Sequence, residues 1–132
     1  MSRVEAREIA FCLIFERSFN INTMPADYKN LFENVDLDEN DVAYVKAVVG
    51  AYELNHDQID EAIEQSCVNW KLSRMPRADL SIMRLAICEM MYCNDVPARV
   101  AINEAINLSK RYCEDESASF INGVLDGCMK KL

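Results

Sequence analysis

Glycine, proline and histidine are scarce in this chain of 132 residues, which has three glycines, three prolines and one histidine. With so few helix breakers and so much Ala, Leu, Ile, Met and Glu, the composition favours helices. A single histidine leaves little for acid–base chemistry at neutral pH. There is no phosphate-binding glycine loop, no H-E-x-x-H and no Ser or Cys nucleophile with a plausible His base, so no catalytic residues are expected. Carboxylate pairs such as Asp36/Asp38 and Asp60/Glu61 read as solvated faces. Long apolar runs are missing too: the longest, around residues 80–93, is interrupted by Arg84 and Glu89 and is too short to span a membrane. The first turn carries Glu5 and Glu8, unlike a signal peptide. A soluble, cytoplasmic, non-enzymatic protein is therefore expected.

Cysteine is not scarce, but its spacing is uninformative for metal. Cys12, Cys67, Cys88, Cys93, Cys113 and Cys128 contain no C-x-x-C pair, and His56 stands apart from them. Several fall at apolar helical positions, where a reduced thiol packs as a small hydrophobe. No metal and no cofactor are expected. Positive charge is in short supply, with 14 Lys/Arg against 22 Asp/Glu and a net charge of −8. The deficit lies in residues 1–73, with 6 basic against 14 acidic side chains; residues 74–132 hold 8 of each. Taken alone, this argues against non-specific nucleic-acid binding, which depends on neutralising phosphates.

What is present reads as one all-α domain of about six or seven helices, in two small packed bundles covering roughly residues 1–73 and 74–132. Ser2-Arg3-Val4-Glu5 fits a capping box opening a helix to about Phe19. Pro25 starts a short helix ending near Glu33. From Asp41 to about Cys67 apolar residues recur at helical spacing, with Gly50 or Asn55-His56 positioned to kink or divide the helix. Residues 79–93, with 11 apolar residues in 15, lack a wide polar face, as expected of a central buried helix. Pro97 suits the first turn of the next helix. Over residues 101–112, Ala101, Ile102, Ala105, Ile106 and Leu108 separate cleanly from Asn103, Glu104, Asn107, Lys110 and Arg111. A last helix, 117–130, follows the acids of "EDES" and closes on Lys130 and Lys131, an order that suits the helix dipole.

The stretch "FINGVLDG" (120–127) pits a turn signal, Asn-Gly, against helical spacing of Phe120, Ile121, Val124, Leu125 and Cys128. The helical reading wins, and it leaves two glycines in a helix interior at about 1 kcal/mol each relative to Ala. Gly123 and Gly127 then imply a close approach to the backbone, by a neighbouring helix or by a ligand.

Three segments carry a specific resemblance: "RADLSIMRLA" with Glu89 closing its pattern, "DVPARVAINEAINLSK", and "SASFINGVLD". In order and spacing, residues 68–126 resemble the NusB family of transcription antitermination factors, and "AREIAFCLIF" and "VNWKL" extend the likeness more loosely into the first half. The resemblance implies an all-helical fold and an RNA-binding adaptor. Its partners would be a boxA-type single-stranded RNA and NusE, a small-subunit ribosomal protein, within a complex of other Nus factors and RNA polymerase. Carried over by position, Arg3 and Arg7 would contact phosphates, Phe15, Glu116, Phe120 and Asn122 would lie at the RNA, and Arg84 and Glu89 at the NusE surface. On physical grounds Phe120 suits either base stacking or the core. Arg84 and Glu89 are either paired internally or exposed to a partner. Two departures stand out: only Arg3 and Arg7 replace the family's N-terminal basic cluster, and Cys113 stands where Gly commonly ends the penultimate helix. Two rival readings are a protein-only adaptor that has lost RNA binding, and an accessory module of a ribosomal-RNA methyltransferase.

Overall fold

The structure, a computed structural model, describes residues 2–19, 38–67, 71–93 and 95–132. Its elements are α1 (Ser2–Phe19), α2 (Glu39–Gln65), a 3-10 turn (Leu72–Arg74), α3 (Arg77–Tyr92), α4 (Ala98–Tyr112) and α5 (Ser117–Lys131). Five α-helices among the described residues are fewer than the six or seven expected. The short helix expected over 25–33 lies outside the described residues. The remaining difference comes from α2, which is kinked at one of the two candidate break points but not divided into separate helices. Gly50 keeps helical geometry, and the interruption falls at Asn55 (φ −122°, ψ 20°). There the side-chain Nδ2 donates to the Ala51 carbonyl one turn back, at 2.9 Å, offering the backbone a local alternative to the regular ladder.

Local chemistry explains the other boundaries. Asp38 caps α2, its Oδ1 accepting from the Asp41 N–H at 2.9 Å, and Glu39 and Asp41 complement the positive end of the helix. Pro76 and Pro97 stand just before α3 and α4. Cys113 ends α4 with an extended backbone (φ −123°, ψ 171°), so the left-handed cap that a glycine would form is replaced by a straight exit.

Helix α3 is the centre of the molecule. Ile82, Met83, Leu85, Ala86, Ile87 and Cys88 are all buried, and α3 packs against α1, α2, α4 and α5. One hydrophobic core runs from Ala6, Ala10, Leu13 and Ile14 of α1 through Val45, Val48, Ile59 and Ile63 of α2 to Ile121, Leu125 and Cys128 of α5. Cys67, Cys88 and Cys128 are buried in it as free thiols, and Cys12, Cys93 and Cys113 are free and partly buried. Cys88 donates to the Val48 carbonyl at 3.3 Å.

The expected close helix packing at the α5 glycines is corrected by the structure. A Cβ on Gly123 would meet nothing within 4 Å, and one on Gly127 would sit in ordinary contact with the Ser66 side chain at 3.6 Å. Gly123 is exposed: the wheel position at the border of the apolar arc falls on the solvent side, because none of the described helices reaches that far around α5.

Candidate nucleic-acid interface

Helical periodicity aligns Arg3, Arg7, Phe11 and Phe15 along one stripe of α1, each one turn beyond the last. At its start Arg3 is about one-third exposed (36%), and its Nε donates to Asp41 Oδ1 of α2 at 2.8 Å. Its guanidinium lies 4.6 Å from the centre of the Tyr44 ring, within cation–π range. One turn on, Arg7 lies below the surface. Its Nη2 donates to Glu89 Oε2 at 3.1 Å and its Nε reaches both Glu89 oxygens at 3.3 Å. Glu104 approaches to 4.0 Å. Tyr44 completes the cluster, donating its hydroxyl to Glu89 Oε1 at 2.9 Å.

The electrostatics of this cluster are those of a neutralised interior network. Burial works against the charge on Arg7, yet the hydrogen bond and charge of Glu89 outweigh it and hold the guanidinium above its ordinary pKa. Burial, reinforced by the Glu89 charge, pushes the Tyr44 phenol far up, so it remains a neutral donor. Glu89 is 1% exposed. Of the two possibilities the sequence left for it, internal pairing is the one found.

Further along α1, Glu8 faces the end of α4. It forms an ion pair with Arg111 and accepts from the Tyr112 hydroxyl at 2.5 Å. The Tyr112 ring lies 4.9 Å from Phe11, and Phe11 lies 6.1 Å from Phe15. Phe15 is half-buried and Tyr112 is 43% exposed, so an aromatic ledge opens to solvent between α1 and α4. The hydrogen bond to Glu8, then burial, raises the Tyr112 hydroxyl to about 12. Past Cys113, whose thiol is raised to about 12 by burial and a hydrogen bond to Asp79, the chain enters α5. Glu116 is exposed at its start and Asn122 is exposed one and a half turns on. Phe120 is half-buried and, with Met75, Pro76 and Ser117, lines a hollow of about 320 Å³ rimmed by Asp79, Glu114 and Glu116. Its acidic rim disfavours phosphate, while its apolar floor suits an uncharged ring.

Arg84 lies elsewhere. Its Nε and Nη2 make a two-pronged pair with Asp60 at 2.8 and 3.0 Å, beside a polar cleft of about 520 Å³ shared with Arg17, Ser18, Tyr52, Glu53 and His56. The structure therefore joins Arg7 to Glu89, expected on separate surfaces, and keeps Arg84 apart from both. Sequence reasoning missed Asp41, Tyr44, Arg111 and Tyr112 as members of the stripe. Tyr112 carried a usable signal, an aromatic at the end of a polar face. The Asp41 and Tyr44 contacts depend on how α1 crosses α2, which no local pattern encodes.

No group of three or more His, Cys, Asp or Glu side chains able to hold a metal occurs among the described residues, and none of their helices is long and apolar enough to cross a membrane. A family model described as the NusB family matches residues 4–130. The transcription antitermination protein NusB of Clostridium botulinum (strain Alaska E43 / Type E3) is 41% identical over 133 residues, covering 99% of this chain and all of that protein. The protein of the same description from Acetivibrio thermocellus is 44% identical over 130 residues, covering 98% of this chain and 90% of its own. Among solved structures, T. maritima NusB superposes with a TM-score of 0.87 at 28% identity, covering 99% of this chain and 92% of that one. A structure described as antitermination factors NusB and NusE in complex with dsRNA gives a TM-score of 0.88 at 21% identity, covering 99% and 98%. With a family model spanning almost its whole length and relatives above 40% identity end to end, the chain belongs to the NusB family.

Proposed function

We propose that this protein is a transcription antitermination factor that binds a boxA-type single-stranded RNA together with NusE, supporting transcription of ribosomal RNA without catalysis of its own. It would act in the cytoplasm, alongside other Nus factors and RNA polymerase. The observation that carries the reading is the α1 stripe from Arg3 to the ledge of Phe11, Phe15 and Tyr112, together with the half-buried Phe120 at the hollow beside α5. Single strands are commonly held in this way, by a few phosphate contacts and by stacking on exposed rings. Between Arg3 and Phe15 α1 rises about 18 Å, at 1.5 Å per residue, a span for about five or six stacked nucleotides at roughly 3.4 Å each. Arg3 and Arg111 supply the positive charge, Phe15 and Phe120 the ring faces, and Glu116 and Asn122 polar contacts at the base edges. Arg7 and Glu89 support this surface from beneath. Arg84, in its cleft beside α2, is the residue left to face a protein partner such as NusE. Relatives named as transcription antitermination proteins support the same reading.

The rival, an adaptor that keeps protein contacts but not RNA, draws on the acidity of residues 1–73 and on the ion pairs already engaging Arg3, Arg7 and Arg111. Equilibrium binding of a boxA-type strand, with and without NusE at several salt concentrations, separates the two. With two cations on the surface the log–log salt slope is expected near −1.4, at roughly 0.7 per phosphate neutralised on a single strand. Binding alone should be weak, and stronger with NusE. A strand that fails to bind even with NusE present establishes the protein-only adaptor instead.

A further inference from the structure

We propose that Arg3 is set in advance in the pose that receives a phosphate, with Asp41 and Tyr44 as its positioning residues and with Glu89 and Arg7 as the buried pair that holds Tyr44. The inference rests on the RNA-binding reading above. A guanidinium has five N–H donors in a rigid plane. In Arg3 the Nε donor is taken by Asp41 at 2.8 Å and one face of the plane rests over Tyr44. Neither Nη nitrogen has a partner among the described residues. That edge is the one that matches two oxygens of a phosphate.

The platform is itself held. Tyr44 is buried, with its hydroxyl anchored on Glu89 at 2.9 Å. Glu89 is clamped by the Nε and Nη2 of Arg7. Arg7 also lies over the Tyr44 ring, at 5.7 Å. Two cations against one ring would repel each other unscreened, and each has its own carboxylate, Asp41 for Arg3 and Glu89 for Arg7. The deeper pair is sealed from solvent, whereas in the outer pair Asp41 is buried and Arg3 reaches the surface. A freely moving surface arginine gives up side-chain entropy when it binds, and holding it beforehand removes much of that penalty.

The discriminating variant is Asp41→Asn. Asp41 is an acid beside the site, so if it merely competed with RNA its neutralisation would strengthen binding. If it positions Arg3, neutralisation weakens binding despite the more favourable net charge. Affinity for a boxA-type strand in the presence of NusE is measured across a salt series, with melting curves run on every variant. Arg3→Gln should weaken binding and make the log–log salt slope shallower by about 0.7, one phosphate contact on a single strand. Asp41→Asn and Tyr44→Leu should each weaken it by about tenfold, the scale of one oriented charge-assisted hydrogen bond, with the slope unchanged. Arg3→Lys, which keeps the charge but cannot serve Asp41 and a phosphate together, should do the same. As a check on the free protein, the Arg3 Nε–H resonance should report a restrained side chain in the parent and a mobile one in Asp41→Asn. Equal or tighter binding by Asp41→Asn with normal binding by the parent overturns the pose alone. A parent that binds no RNA overturns the functional reading and the pose with it.

Discussion

Replacing Gly123 with Ala puts a methyl group into open space on a helix that gains propensity from it, so the variant is expected to be more stable by up to about 1 kcal/mol. The same holds at Gly127, where the new methyl would lie at ordinary contact distance from Ser66. Thermal melts check both, and a destabilised Gly123→Ala would show that something lies against that backbone after all. RNA binding by the same variant decides the other explanation for the glycine, the approach of a ligand. The carboxylates of the stripe divide in a similar way by depth. Glu89→Ala leaves Arg7 charged and buried without its main partner, and breaking a buried pair in this manner costs about 3–5 kcal/mol. Glu8→Ala removes contacts to exposed Arg111 and Tyr112, and such surface pairs contribute less than about 1 kcal/mol. Urea titrations of the two variants should therefore differ severalfold in lost stability; equal losses would place Glu8 in an environment quite unlike the one described.

Among the elements, α2 holds the least regular geometry, and Asn55 is its centre. Asn55→Ala loses one hydrogen bond, worth about 1 kcal/mol net, and regains roughly 0.5 kcal/mol of helix propensity. The gain offsets about half of the loss, so urea unfolding should show a net loss below about 1 kcal/mol. A loss of several kcal/mol would mean that the side chain, and not the packing of Ile59 and Ile63 into the core, forces the bend. The helices themselves were legible because each signal was local and strong. The 3.6-residue period of 101–112, the all-round apolar 79–93 and the prolines at 76 and 97 each pointed to the element observed. The candidate site was legible only in part. Phe15, Glu116, Phe120 and Asn122 were reached by the family resemblance, and the fold leaves Glu116 and Asn122 exposed and the two rings half-buried. That Arg7 and Glu89 meet could not be read from sequence, since they stand 82 positions apart and only the crossing of α1 over α3 brings them together. The glycine inference failed at Gly123 because a helical wheel gives a residue's direction but not the distance to the next helix.

For the molecule as a whole, raised acid groups set how stability responds to alkali. Burial lifts the thiols of Cys88 to about 12, Cys93 to about 11 and Cys113 to about 12, and the bond to Glu8 lifts Tyr112 to about 12. In the unfolded chain these groups lose their protons near their ordinary values, around 9 for thiols and 10 for tyrosine, while the folded chain still holds them. Their contribution is thus complete below about pH 9 and disappears as pH rises through 11–12. Melting temperatures should be insensitive to these groups between pH 6 and 8 and decline beyond pH 9, more gently in Cys93→Ala and Cys113→Ala than in the parent. A decline that these two variants leave untouched would assign the alkaline loss to other groups. The position of α3, in contact with each of the other four described helices, has a kinetic consequence as well. None of its neighbours can complete its own burial before α3 is in place, so the rate-limiting step of folding should already contain it. Ile87→Val is then expected to slow refolding by nearly the whole of its effect on stability, while Leu13→Ala in α1 acts mainly by speeding unfolding, a contrast that stopped-flow chevrons resolve.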